Sequence, residues 1–152
     1  MSKKKKYNDT EEWFTLIPEL KEWNDGRGID HEDWIEIEGR IEYALAYSST
    51  FWPKFVLFRN CIFIDYMNDE IFERWHKNCN GNLKALEATV NHRHLEDWFG
   101  GESTKEQMEY LGRNLKDMWQ TKLDKQFPGR QVIVELFEAN EEYKITVYQE
   151  NH

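Results

Sequence analysis

At 152 residues, 39% apolar and 15% aromatic, the chain is long enough for one domain with its own core, and two cysteines are too few for a disulfide framework. A net charge of −9 argues against nucleic acid as a partner, because duplex binding rests on Lys and Arg neutralising phosphates. No apolar run approaches the roughly 18 residues needed to cross a bilayer, so no membrane partner is expected.

The start, Met1 to Lys6, is basic but leads into no apolar segment, so residues 1–8 are expected to be a disordered basic tail and not a secretory signal. Residues 9–152 are expected to form a single α+β domain. Cys61 and Cys79 both fall on apolar lines, which fits free thiols in a reducing compartment and a cytoplasmic location.

The spacing predicts helix over residues 9–24, capped by Asp9 or Thr10. Trp13, Leu16, Ile17, Leu20 and Trp23 share one face, and Pro18 imposes a kink. Asn24 to Gly28 breaks the chain. A second helix, capped by Asp30, is predicted to run to about Tyr47, with Trp34, Ile37, Ile41, Ala44 and Leu45 as its buried stripe. Its solvent side carries Glu32, Glu36, Glu38 and Glu42, with Arg40 among them. Residues 7–50 hold twelve acidic residues against three basic ones, so this third of the chain alone nets −9.

The most apolar run, Phe51 to Tyr66, reads as a hairpin of Phe55–Phe58 and Cys61–Asp65 turned at Arg59-Asn60, buried on both faces. Asn68 caps the next helix, with Ile71, Phe72, Trp75 and Cys79 inward and Asn80-Gly81 as its stop. Asn82 starts another, with Leu83, Leu86, Val90 and His94 on a line. Ser103 and Glu106 make a capping box for a helix burying Met108, Leu111, Leu115, Met118 and Trp119. Gln131–Phe137 and Tyr143–Gln149 read as a second hairpin. The two hairpins are expected to join in one antiparallel sheet of about four strands, packed against four to six helices. The seven tryptophans are expected to anchor the core.

Chemistry-bearing motifs are sparse. His76, Cys79, His92 and His94 approach a zinc-ligand interval, but Cys79 points inward and His92 and His94, if helical, lie about 200° apart. No metal and no other cofactor is expected. Glu73 and His76 form only one Glu-x-x-His pair, whereas a di-iron bundle needs two. Cys61 lies among isoleucines, a poor setting for a nucleophile. Glycine-rich phosphate loops and serine elbows are missing, so the chain leans away from an enzyme.

One constellation stands out. Glu32, Glu36, Glu38, Arg40, Glu42, Tyr43 and Tyr47 lead directly into Trp52. The acidic field is expected to attract a basic protein, making the chain a non-enzymatic protein-binding module. In composition it resembles the immunity-type proteins that neutralise basic toxins, which implies such a role. The alternatives are a small-molecule-binding protein or enzyme with a pocket near Arg40, Tyr43, Tyr47 and Trp52, and a structural subunit of a larger assembly. Oligomeric state is not legible from the sequence.

Overall fold

The structure, a computed structural model, describes residues 11–152. The predicted tail and the caps offered by Asp9 and Thr10 lie outside them. The chain separates into two compact units, Met1–Tyr47 and Ser48–His152. The fold class is α+β, as expected.

In the first unit, residues 11–16 are helical (α1), and Pro18 forces the predicted break, opening a short 3-10 turn over Pro18–Lys21. Leu16 and Leu20 are buried. Asn24 and Asp25 adopt left-handed backbone before Gly26 and Gly28, and the Ile29 amide returns to the Leu20 carbonyl at 3.0 Å. The Glu19 carboxylate accepts from the indole N–H groups of Trp23 (3.4 Å) and Trp34 (3.2 Å), and Trp13 stacks on His31 at 4.3 Å.

The second predicted helix is two helices. Asp30 caps α2 (His31–Glu38) as expected, its Oδ1 accepting from the Asp33 amide at 2.9 Å. Gly39 then turns extended and α3 (Ile41–Phe51) begins. A Cβ at position 39 would run into the Ile35 carbonyl oxygen, so the break depends on glycine. The predicted buried stripe is also overturned: neither helix buries a residue, and Ile37, Ile41 and Leu45 are 55%, 68% and 65% exposed. The physical reason is the break at Gly39: the stripe presumes one continuous helix, whereas Trp34 and Ile37 belong to α2 and Ile41, Ala44 and Leu45 to α3, so no single helical face collects them.

In the second unit, β1 (Phe55–Phe58) and β2 (Cys61–Ile64) form the first hairpin, with Arg59 and Asn60 both at positive φ. Asn68 and Asn82 cap α4 (Asp69–Asn78) and α5 (Leu83–Asn91) as predicted. Helix α5 ends at Asn91, sooner than its apolar line suggests. His92 is extended, and β3 (Arg93–His94) and the single turn α6 (Leu95–Trp98) follow. The capping box of α7 (Lys105–Gln126) is Thr104 with Gln107, one residue beyond the predicted pair. Both pairs satisfy the sequence pattern, and only the backbone geometry selects between them. The second hairpin, β4 (Val132–Ala139) and β5 (Glu142–Gln149), is longer than predicted, with a two-residue turn at Asn140-Glu141.

The expected four-stranded sheet is not formed. The described residues form two antiparallel sheets, a two-stranded β1-β2 and a three-stranded β3-β5-β4. The reason is a polar wedge from α5. The buried Glu87 carboxylate accepts from the amides of Ile62 on β2 (2.6 Å) and Gln149 on β5 (2.7 Å). One turn on, Asn91 donates to the carbonyls of Ile62 (2.8 Å) and Val147 (3.0 Å) and accepts from the Ile64 amide (2.9 Å). Two side chains thus make the bonds that a strand ladder would have made.

The main core packs α7 against the second hairpin, with Leu115, Trp119, Leu123, Val134, Ile145 and Val147 buried. Leu136 reaches so close to Gly112 that a Cβ there would meet its methyls at 2.8 Å, which explains a glycine inside the longest helix. A second cluster, Cys61, Phe63, Met67, Phe72 and Leu86, fills the space between the first hairpin, α4 and α5. Of the tryptophans only Trp119 is fully buried, and Trp52 is exposed.

Candidate functional site

The surface of α2 and α3 concentrates the features that a partner would read. Six of the ten large hydrophobics exposed among the described residues fall here: Ile35, Ile37, Ile41, Tyr43, Leu45 and Tyr47. Interleaved with them are Glu32, Glu36, Glu38 and Glu42, all exposed. Arg40 approaches Glu42 at 3.7 Å, both well exposed, and its guanidinium lies 4.8 Å from the Tyr43 ring centre. Tyr43 and Tyr47 have ring centres 6.3 Å apart. A helix pair this apolar on its outside is unusual, because a soluble surface is normally dotted with single hydrophobics. Within the second unit, Trp52 lies under the Lys122 ammonium, 5.6 Å from its ring centre.

The residues of the zinc-like interval are distributed by the fold. His76 stacks on Phe72 within α4, and Cys79 is half-buried at the end of that helix, in the second core cluster. His92 and His94 come together because the helix ends before them. In extended backbone, residues two apart share a face, and their Nε2 atoms stand 3.2 Å apart. The Nδ1 of His92 meets the Thr89 carbonyl at 2.9 Å, and that of His94 meets the Glu142 carboxylate at 2.8 Å. The expected 200° separation fails for one reason, the early stop of α5.

Cys61, Glu87 and His152 also gather, their ligand atoms all within 4.8 Å of one another. Here the carboxylate is already saturated. Besides the Ile62 and Gln149 amides it accepts from Gln149 Nε2 (2.7 Å) and His152 Nε2 (3.0 Å), which fills its four lone-pair directions. The Cys61 thiol is fully buried, and burial first, then the Glu87 charge, pushes its pKa up to about 12, with Arg130 opposing. A thiol so held carries no thiolate at neutral pH and is no nucleophile. Treating the folded chain at pH 8 with a thiol-reactive disulfide should therefore label Cys79 alone. Cys61 should react only after unfolding, and modification of Cys61 in the native chain at the rate of Cys79, read by peptide mass, would contradict this.

A cavity of about 380 Å³ opens beside α7, lined by Glu96, Thr104, Lys105, Glu138, Glu141 and Tyr143 among others. Glu96 Oε1 accepts from the Tyr143 amide at 2.9 Å, whereas its buried Oε2 has no hydrogen-bond partner among the described residues.

Sequence reasoning missed Glu87, Asn91 and the pairing of Glu142 with His94. The first two carried a usable signal. Glu87 and Asn91 follow Leu83 at i+4 and i+8, polar residues on the apolar line of α5. The pairing carried none, because Glu142 meets His94 only across the β3–β5 pairing. Among the described residues, no helix is long and apolar enough to cross a membrane. Comparison with protein families, curated proteins and solved structures finds no match to this chain.

Proposed function

We propose that the chain is a protein-binding module whose acidic, apolar-studded helices α2 and α3 engage a basic protein partner. A single observation carries this reading: two successive helices bury none of their own residues and expose isoleucine, leucine and tyrosine among four glutamates. Apolar area of this kind stabilises only when covered, at roughly 25 cal/mol per Å². Arg40 is the single cation among those glutamates, so the surrounding field stays negative and steers a positive surface towards the apolar residues. A partner of this class supplies Lys or Arg around an apolar groove.

The test compares the native mass of the chain purified from its source cells at low and high salt, for the wild type and for Glu36→Lys/Glu38→Lys. The expected result is a stoichiometric partner of basic composition that leaves as salt rises. The double reversal should weaken its binding at least tenfold at low salt. Near 1 M salt, where charges are screened beyond about 3 Å, the two should converge. A partner held equally well by the reversed variant, or a chain that stays alone at every salt, defeats the reading.

A further inference from the structure

We propose that His92 and His94 form a two-imidazole binding site for a late first-row divalent cation, zinc in the first instance, with Glu142 as its outer carboxylate. The backbone builds the pair. His92 leaves α5 in extended conformation and β3 continues it, so the two imidazoles project to one side while Arg93 between them donates to the Val90 and His92 carbonyls.

The hydrogen bonds on the far side of each ring then fix what the near side presents. A carbonyl oxygen can only accept, so His92 Nδ1 carries a hydrogen and donates it to Thr89. A carboxylate likewise accepts, so His94 Nδ1 donates to Glu142. In the neutral form of each ring, Nε2 is left as a bare lone pair. Both bare nitrogens face one another at 3.2 Å, which is repulsive unless an electrophile lies between them. Two zinc–nitrogen bonds of about 2.0–2.1 Å meeting at a tetrahedral angle span about 3.3 Å, so the pair already has the bite that one cation requires.

The carboxylate behind His94 adds a second, independent sign. A histidine that binds metal through one nitrogen commonly donates its other N–H to a carboxylate or carbonyl, which fixes the ring and raises its basicity. Both histidines have such a partner. Imidazole nitrogen selects zinc, nickel and copper over magnesium or calcium. His92 is exposed, so the remaining coordination positions are open to water or to a side chain from another molecule. The Cys61–Glu87–His152 group is no competitor, because its carboxylate has no lone pair to spare.

The test is titration of the full chain with zinc chloride, read by calorimetry and by the nitrogen resonances of the histidine rings. One zinc per chain is expected, shifting the Nε2 resonances of His92 and His94. His92→Gln and His94→Gln should each weaken binding at least tenfold, and Glu142→Gln by about 10–100-fold, with amide spectra showing the fold retained. His76→Gln and His152→Gln should bind as the wild type does. Zinc that leaves both rings unmoved at 1 mM, as for a pair bridged by a shared proton, overturns the proposal. So does binding that survives His92→Gln/His94→Gln or disappears with Cys61→Ser.

Discussion

Replacing Glu87 with alanine is expected to cost about 3–5 kcal/mol of folding stability, the range found when one partner is removed from a buried charged network. Burial alone does not set this figure. Two backbone amides on different hairpins, Ile62 and Gln149, lose their acceptor together with the Gln149 side-chain amide. A buried donor left unsatisfied costs about 1–3 kcal/mol. For a domain of this size the loss corresponds to a fall in melting temperature on the order of 10 °C. Glu87→Gln should cost less, because one oxygen still accepts, but its NH2 must then face donors. Amide hydrogen exchange gives the sharper readout: Ile62 and Gln149 should lose protection together, although they belong to different sheets. A change under about 1 kcal/mol, or loss confined to one hairpin, would show that the carboxylate does not join them.

Trp119→Ala should be comparably damaging, about 3–5 kcal/mol, the usual range for truncating a buried tryptophan. Trp119 is 1% exposed and makes edge contacts with Phe55 at 5.9 Å and Trp98 at 6.1 Å. Its indole N–H also donates to the Thr50 carbonyl at 2.9 Å, tying α7 to the end of α3 within the second unit. Trp119→Phe separates the two roles. It retains most of the packing and loses the hydrogen bond, so it should recover more than half of the loss measured for alanine. Urea unfolding checks both variants. Equal losses for phenylalanine and alanine would place the stabilisation in the hydrogen bond and not in the core.

What was legible in the sequence rests on short-range chemistry. Asp30, Asn68 and Asn82 were readable as caps because a side chain three residues upstream of a helical amide is enough to satisfy it. The Pro18 break and the Arg59-Asn60 turn were readable for the same reason. The face of α7 was readable because Met108, Leu115 and Trp119 keep one helical period against one sheet. The α2–α3 stripe is not realised because it presumes one unbroken helix, and extended Gly39 divides Trp34 and Ile37 from Ile41, Ala44 and Leu45. The single sheet was misjudged because strand patterns carry no sign of a polar side chain entering between two hairpins.

The candidate sites divide along the same line. The acidic, aromatic character of residues 32–52 is a property of composition and was visible before any fold. Whether those residues face water was not, because exposure depends on which elements find partners. The His92–His94 pair was visible as spacing but was assigned to a helix. Its convergence depends on α5 ending at Asn91, whose side chain is engaged with β2 and β5. Glu142 joins the pair only through the pairing of β3 with β5. The sequence by itself therefore determined the fold class, the helix starts and tight turns, and the concentration of negative charge, all of which act over a few residues or by summation. The tertiary structure alone decided the separation of the two sheets, the exposure of α2 and α3, and the meeting of His92, His94 and Glu142. Those outcomes depend on contacts between residues distant in the chain, where local propensity carries no information.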